Sequence, residues 1–209
     1  MFGLTKEELG ILKKLNTPKK IQDFLDTLKI NFDYSRDTCM SPRVVLRKRK
    51  AHCIEGAMLA ALALKMHGYR PLVVHLKATK KDYDHVMAVF NQYGRWGAIN
   101  KSNHAVIRYR EPIYRDIREL VMSIFHEYTD RKGRKNLRSF SVPVNLSRFD
   151  KKKWVIDEKD LWHIDSHLDK VKHFDILSRK QIANLRLADK IERKAGNITE
   201  WDRKGNRKI

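Results

Sequence analysis

The residue with the clearest potential for chemistry is Cys53, in the stretch KAHCIEGAMLAALALKMHGYRP at residues 50–71. The apolar run after Cys53 predicts a buried helix with the cysteine in its first turn. Free amide N–H groups and the macrodipole at a helix N-terminus favour a thiolate, and the same amides can stabilise an oxyanion. The alternative is a small buried hydrophobic residue, the usual role of a free cysteine.

A thiol nucleophile needs a base, and the base needs a group that orients it. His85 begins the strand-like segment HVMAVF, and Asn100 ends the segment WGAIN. If the two segments form a hairpin around Gly94, His85 lies near Asn100, whose amide could fix the tautomer of the imidazole. Asp84 and Asp116 are weaker alternatives.

One helix and two strands must therefore position these side chains. Gly68 is predicted to end the helix, which has little polar face and carries Ile54, Ala57, Met58, Ala61, Leu62 and Leu64. The segments PLVVHLKA, DHVMAVFNQYG and GRWGAIN fit neighbouring strands. A buried helix against an antiparallel sheet predicts an α+β fold.

Further helices are predicted on either side of this core. TKEELGILKKLN has a capping box at Thr5 and Glu8, and Thr17 caps the helix that follows. EPIYRDIRELVMSIFHEY has helical spacing and an apolar stripe over residues 113–125.

The C-terminal part is less regular. After a basic loop at 131–138, SFSVPVNL is predicted to be extended, and KDLWHIDSHLDKVKHFDIL fits more than one structure. SRKQIANLRLADKIERKAG is predicted to be a final helix, and residues 198–209 a frayed basic tail.

Cysteine at a helix start, histidine on the following strand and an acid or amide on the next resembles the transglutaminase-like superfamily of papain-related enzymes. SPRVVLRKRKAHCIEGAMLAALALKMHGYRP resembles its nucleophile helix and the preceding basic loop. DHVMAVFNQYGRWGAIN resembles its histidine strand and a Gly-Trp strand ending at the third residue. The resemblance covers residues 41–101. Position 100 is Asn, where this family most often has Asp and related thiol peptidases use Asn.

The resemblance implies a transglutaminase-like, papain-like core at residues 1–130 and a C-terminal extension of basic loop, strand and helices at 131–209. It implies Cys53 as nucleophile, His85 as base and Asn100 as orienting residue. The implied reaction is acyl transfer from an amide or peptide, with hydrolysis by a cysteine peptidase or amidase as the default. No cofactor or metal is implied. The expected partner is a peptide or amide substrate, and an acidic one would suit the charge.

The chain is strongly basic, with 45 Lys and Arg, 25 Asp and Glu and a formal charge of +20. Such a field attracts polyanions, so a nucleic-acid-binding protein is the main alternative. That alternative depends on basic residues and tryptophans: Arg43, Arg47, Lys48, Arg49, Lys50, Trp154, Trp162 and Trp201. A solvated surface is the simpler explanation, because no recognition-module signature accompanies the charge. A catalytically inactive transglutaminase-like interaction domain is the third alternative.

Other histidines have simpler explanations. His163 and His167 would share one helix face, but a metal site needs a third ligand, so we predict packing. His52 precedes Cys53, and adjacent helical residues point about 100° apart, so we expect it to set the local field rather than act as the base.

Compartment and redox state follow from what the sequence lacks. Cys39 and Cys53 are too few for a disulfide framework and are predicted to be free thiols. The N-terminus has charges where a signal peptide needs an apolar run, and no apolar run reaches membrane-spanning length. We therefore expect a cytoplasmic protein outside the membrane.

Overall fold

A seven-stranded antiparallel sheet with helices on both faces organises residues 2–32 and 37–208, the part of the chain that this computed structural model describes. None of the helices in those ranges is long and apolar enough to cross a membrane. The elements are α1 (Lys6–Lys14), α2 (Pro18–Thr27), β1 (Lys29–Ile30), α3 (Pro42–Lys48), β2 (Lys50–Ala51), α4 (Cys53–Met66), β3 (Leu72–Ala78), β4 (His85–Gln92), β5 (Arg95–Ile99), β6 (Arg110–Tyr114), α5 (Ile117–Phe125), β7 (Leu137–Ser141), β8 (Val144–Asn145), a 3-10 helix (Leu146–Lys152), α6 (Trp162–Lys170), β9 (His173–Asp175), α7 (Arg179–Ala183) and α8 (Lys190–Gly196).

The predicted α+β class is confirmed. The sheet has the order β6-β5-β4-β3-β7-β9, β8 also pairs with β3, and each of these pairings is antiparallel. β1 and β2 form a separate parallel pair. The C-terminal strands β7, β8 and β9 thus belong to the same sheet as β3 to β6. The division at residue 130 stays a prediction.

Side-chain caps start the N-terminal helices where the sequence predicts them. Thr5 Oγ1 accepts from Glu8 N, and the Glu8 carboxylate accepts from Thr5 N, which completes the capping box of α1. Thr17 Oγ1 accepts from Lys20 N to cap α2, and Ser41 Oγ accepts from Val44 N to cap α3. These caps satisfy amide groups that the helices leave free.

The central helix, α4, is buried from Ile54 to Leu64. It packs on β4 and is covered by α1, α2 and α3. A helix that is apolar on all sides can be buried in this way. The prediction for this helix is confirmed, with Cys53 as its first residue and Gly68 just beyond its end.

The β4–β5 hairpin is also confirmed. Tyr93 and Gly94 form its turn with φ values of +54° and +73°, as a type I′ turn requires. The register pairs Ala88 with Ile99. One step further along the strands, Asn100 lies opposite Met87, and His85 is two residues away on the same face of β4.

The helix predicted from residue 113 instead begins at Ile117, and this part of the prediction was wrong. Residues 110–114 form the edge strand β6, which pairs with β5. Pro112 lacks an N–H group and therefore suits an edge strand. Asp116 caps α5 by accepting from Glu119 N at 2.8 Å. Ile113 is 65% exposed and so lies outside the core.

The predicted final helix is divided into α7 and α8. Ser178 and Asp189 each complete a capping box, and the second cap starts a new helix where the pattern suggested continuity. The periodicity of the segment did not show this break.

Residues 198–208, predicted to be a frayed tail, pack against the segment after β5. Asn103 accepts from Trp201 N at 2.8 Å and donates to Trp201 O at 3.0 Å. The buried Glu200 carboxylate accepts from Arg108 and from Arg207, each at 2.7 Å. These ion pairs and the burial of Trp201 order the segment, which a count of basic residues could not indicate.

Candidate active site

The candidate nucleophile, Cys53, is the first residue of α4 and is partly exposed. His52 is the N-cap residue, and its backbone N–H donates to Glu55 Oε2 at 2.9 Å. The carboxylate of Glu55, a residue of the first turn of α4, thus satisfies the backbone amide of the N-cap residue. The thiol therefore lies at the positive end of the helix macrodipole.

His85 and Asn100 meet at the other side of the site. His85 Nε2 lies 2.9 Å from Asn100 Oδ1, and both residues are buried. Asn100 Nδ2 donates to Arg108 O at 2.7 Å. A carbonyl oxygen only accepts hydrogen bonds, so this contact fixes the amide with Oδ1 towards His85.

The orientation of Asn100 in turn fixes the histidine. Asn100 Oδ1 only accepts, so His85 carries a proton on Nε2 and donates it. The imidazole of His85 also lies beside the thiol of Cys53, and the two groups shift each other's pKa. Asn100 occupies Nε2 of His85, so Nδ1 is the ring nitrogen that remains for the thiol of Cys53. The three side chains predicted for the site are therefore neighbours in the order Cys53, His85 and Asn100, with a hydrogen bond between the last two.

The electrostatics of this row favour an ion pair. Burial disfavours a thiolate, but hydrogen bonds from His52 and His85 outweigh it and hold the pKa of Cys53 well below its usual range. Burial likewise disfavours an imidazolium, yet the hydrogen bond and charge of Cys53, with the Asn100 contact, raise the pKa of His85. Both shifts favour thiolate and imidazolium together.

His52 takes a larger part in the site than the sequence suggested. Its Nε2 lies 2.6 Å from Thr38 O and 3.4 Å from Glu55 Oε1. Its ring also lies beside the thiol, whose charge contributes to raising the pKa of His52. Burial opposes its charge, but Cys53, Glu55 and the Thr38 carbonyl raise the pKa of His52 from 6.5 to about 9. As N-cap, His52 has extended rather than helical backbone dihedrals, so the 100° offset of helical neighbours does not apply.

A buried carboxylate supports this arrangement. Glu55 accepts from Thr38 Oγ1 at 2.7 Å, from Met40 N at 3.0 Å and from Asn31 Nδ2 at 3.2 Å, besides His52 N. These contacts hold the segment before α3 against the start of α4. Glu55 was not predicted as a site residue, although an acidic residue three positions after a helix N-cap is a recognisable signal.

Helix α2 holds the end of β5 in place. Gln22 Oε1 accepts from Asn100 N and Gln22 Nε2 donates to Asn100 O, each at 3.0 Å. Lys101 Nζ donates to Leu25 O at 2.9 Å and to Leu28 O at 2.5 Å, and the residue is 1% exposed. Sequence reasoning missed both residues, because nothing local shows that α2 meets the end of β5.

The weaker candidates for the third position are engaged elsewhere. Asp84 Oδ2 lies 3.3 Å from His75 Nε2, and Asp84 Oδ1 accepts from Ala78 N at 2.8 Å. Asp116 caps α5. Asp84 and His85 are adjacent in the sequence, and only the hydrogen bonds show that His85 contacts Asn100 while Asp84 contacts His75 and Ala78.

Two clusters contain histidines of the kind that can bind a metal ion. Ligand atoms of His75, Asp84 and Asp169 lie within 4.8 Å of one another. Lys77 Nζ lies 3.1 Å from Asp169 Oδ1 and already supplies positive charge there, so we assign an ion-pair network. His163 and His167 instead pack their rings against Phe149, and Arg148 donates to His167 Nε2 at 2.8 Å.

Two of the three tryptophans behind the nucleic-acid-binding alternative are buried, and two of its arginines are in ion pairs. Trp154 and Trp201 are buried, while Trp162 is 43% exposed. Arg43 pairs with Glu8 at 2.9 Å and Arg47 with Glu158 at 2.7 Å. Tryptophans in a core cannot stack on bases, so Trp154 and Trp201 do not provide the stacking surface that single strands use.

Cys39 differs from Cys53 in its burial and in the direction in which its surroundings shift the pKa of the thiol. Both thiols are free, as predicted. Cys39 is buried, and burial with the nearby charges of Asp165, Glu55 and Asp160 raises the pKa of its thiol. Cys39 is therefore the less reactive of the two.

Comparison with protein-family models finds no match to this chain, and comparison with curated proteins finds none either.

Proposed function

We propose that this protein is a transglutaminase-like thiol enzyme that transfers an acyl group from an amide or peptide through Cys53, His85 and Asn100. The observation that carries the proposal is the contact of 2.9 Å between His85 Nε2 and Asn100 Oδ1, with the amide orientation set by Arg108 O. This contact leaves Nδ1 of a buried imidazole for the thiol at the start of α4. These contacts support the assignment of Cys53 as nucleophile, His85 as base and Asn100 as orienting group, the three roles that thiol acyl transfer requires.

In the first half of the reaction, the Cys53 thiolate attacks the carbonyl carbon of the scissile amide. The C–S bond forms as the carbonyl π electrons move to oxygen, and the Cys53 backbone N–H at the N-terminus of α4 donates to that oxyanion. His85 gives its Nδ1 proton to the leaving nitrogen, and the C–N bond breaks. The products are a free amine and a thioester on Cys53.

In the second half, water or an amine attacks the thioester. Neutral His85 takes the proton of the attacking group, and the C–S bond breaks to restore the thiolate and the imidazolium. Water gives a carboxylic acid, and hydrolysis is the default we propose. An amine gives a new amide.

His52 is a second group in contact with the reacting sulfur. With a pKa of about 9 it is protonated at neutral pH and places a positive charge beside the thiolate. Its Nε2 is occupied by Thr38 O, so it cannot turn to serve the leaving group as His85 does. We assign His52 to thiolate stabilisation and His85 to proton transfer.

The first test measures the rate of Cys53 alkylation by iodoacetamide against pH, with Cys39→Ser present throughout. Reaction well below the free-thiol pKa of about 8.5, moved to higher pH by His85→Ala, is the expected result. His67→Ala is the control, because His67 follows the opposite end of α4, about 20 Å from Cys53 along a helix of 14 residues. Labelling that begins only near pH 8.5 both with His85 present and in His85→Ala would refute the thiolate–imidazolium pair and favour an inactive interaction domain.

The second test separates hydrolysis from transfer. A peptide library is incubated with the protein in ¹⁸O-labelled water, with and without methylamine, and analysed by mass spectrometry. Hydrolysis places ¹⁸O in a new carboxyl group, and transfer places methylamine on the acyl group. Neither product should form with Cys53→Ala.

A further inference from the structure

A cavity of about 430 Å³ lies beside the turn that joins β3 to β4. Its walls come from three segments: residues 79–81 in that turn, residues 134–138 around the start of β7, and residues 182–187 at the end of α7 and beyond it. Thr79 N donates to Asn136 O at 3.0 Å, and Asn136 Nδ2 donates to Asp82 Oδ2 at 3.1 Å. The first two walls are therefore joined by hydrogen bonds.

The charge of the cavity is of one sign. None of the described residues that line it is acidic, and six are basic: Lys80, Lys81, Arg134, Lys135, Arg138 and Arg186. Two of these are neutralised from outside the lining, since Arg134 pairs with Asp130 and Arg186 with Asp189 and Glu192.

The other four have no carboxylate partner within residues 2–32 and 37–208. Lys135 is the most informative, because it is 7% exposed and its Nζ donates to a backbone carbonyl, Arg186 O, at 2.9 Å. Arg138 likewise donates only to carbonyls, those of Lys135 and Leu137, and burial lowers its pKa. A buried cation without a counterion is costly, so an anion bound here would relieve that cost.

The rest of the lining separates two kinds of polyanion. Ile182, Leu185 and Leu187 provide an aliphatic surface, with Ile182 and Leu187 exposed. No aromatic residue is among the described residues that line the cavity. Single-stranded nucleic acids are usually held by bases stacked on aromatic rings, whereas an aliphatic surface inside a basic rim suits an apolar side chain with acidic neighbours.

We propose that this cavity binds an acidic peptide segment in which an aliphatic side chain is flanked by Asp or Glu. Lys80 and Lys81 meet the carboxylates at the outer rim, Lys135 and Arg138 attract them from below, and the aliphatic side chain packs on Leu185 and Leu187.

The position of the cavity connects this segment to the candidate active site. Lys81 and His85 are four residues apart, so their Cα atoms are at most about 14 Å apart, a span of four or five residues of extended peptide. Tyr128 donates to Tyr83 O and so fixes the turn between them. That the segment belongs to the substrate rests on the proposed function, whereas its binding does not.

The experiment measures binding by fluorescence anisotropy, using a fluorescein-labelled Asp-Glu-Leu-Asp-Glu peptide and the Cys53→Ala protein, which cannot turn it over. Lys80→Glu/Lys81→Glu tests the rim. Lys13→Glu/Lys14→Glu is the matched control on α1, because each pair changes two exposed lysines and lowers the formal charge of +20 by the same amount. We expect at least tenfold weaker binding for the rim variant and less than twofold change for the control. The Asn-Gln-Leu-Asn-Gln peptide and the Asp-Glu-Ser-Asp-Glu peptide should both bind more weakly than the parent.

Three results would overturn the proposal: no binding of the acidic peptide, equal loss in the two variants, or tighter binding of an oligothymidylate that the rim variant alone abolishes. The last would assign the cavity to nucleic acid. Peptide binding as expected by a protein without acyl-transfer activity would keep this proposal and refute the proposed function. If the protein hydrolyses neutral peptides but does not bind the acidic peptide, the proposed function is kept and the proposal for the cavity is refuted.

Discussion

Gly56, in the first turns of α4, lies against Lys101, the residue that follows Asn100. A Cβ atom placed on Gly56 would lie 2.4 Å from Lys101 Cβ and 3.1 Å from Lys101 Cγ. No side chain at position 56 fits in that space without movement. The absence of one lets the N-terminus of α4 approach the end of β5, and so brings Cys53 to the His85–Asn100 pair.

Gly56→Ala should therefore lower the free energy of unfolding. Ala is favoured over Gly in a helix by about 1 kcal/mol, but crowding against Lys101 should cost about 1–3 kcal/mol and exceed that gain. Gly10→Ala in α1 is the control, because nothing lies within 4 Å of a Cβ atom there, and it should stabilise the protein. Urea unfolding of both variants measures the difference. If the two substitutions stabilise equally, the close approach does not constrain α4.

Asn100→Ala should remove the group that orients His85. Without the acceptor at Nε2 the imidazole can rotate, so we expect peptide hydrolysis to fall by roughly 100-fold with the fold retained. Asn100→Asp keeps an acceptor and adds a negative charge, which should raise the pKa of His85. His85 then keeps the proton for the leaving group to higher pH, so the alkaline limit of peptide hydrolysis should move to higher pH.

The control for the two Asn100 variants is a test that each of them is still folded. Asp at position 100 loses the donor to Arg108 O, so the thermal midpoints of both variants must be compared with wild type. Equal activity of Asn100→Ala and wild type would show that His85 is held without Asn100.

His52→Gln should reduce the reactivity of Cys53 at low pH. The imidazolium of His52, with its pKa of about 9, is one of two positive charges beside the sulfur, and the neutral amide removes it. We expect alkylation at pH 6 to slow by roughly tenfold, with the rate profile moved to higher pH. His85 remains to transfer protons, so hydrolysis at pH 8 should fall less than at pH 6. A profile identical to that of wild type would assign His52 to packing alone.

Lys101 should make stability depend on pH in a defined window. Burial lowers the pKa of Lys101 from 10.5 to about 8, against the opposing charges of Asp26 and Glu200. Between these two values the unfolded chain binds a proton that the folded chain does not, so the free energy of unfolding rises with pH. The contribution is at most about 3 kcal/mol and is lost as the pH falls through 8.

The measurement compares wild type with Lys101→Met by urea unfolding at pH 7.5 and pH 10. Wild type should gain stability relative to the variant at the higher pH, because only wild type loses the buried charge. Lys13→Met, at an exposed position of α1, corrects for the loss of a lysine as such. A difference that is constant or shrinks with pH would contradict the buried-charge account.

The local part of the fold was predictable from residue types. Thr5, Thr17 and Gly68 marked helix ends by their own hydrogen bonding or backbone freedom, and the run after Cys53 was apolar enough to specify a buried helix. The predictions were wrong where contacts with residues distant in the chain decide whether a segment is helix or strand. Ile113 is apolar, yet pairing with β5 places it on an exposed edge strand.

The sequence by itself determined that a thiol stands at the start of a buried helix, with a histidine and an asparagine on a hairpin that follows. Periodicity, capping and turn chemistry are local, so they can be read without knowing what packs where. Only the tertiary structure decided the protonated nitrogen of His85, the contact of His52 with the thiol and the role of Gln22 and Lys101. These depend on hydrogen bonds between elements up to 78 residues apart, whose directions follow from packing and not from spacing along the chain.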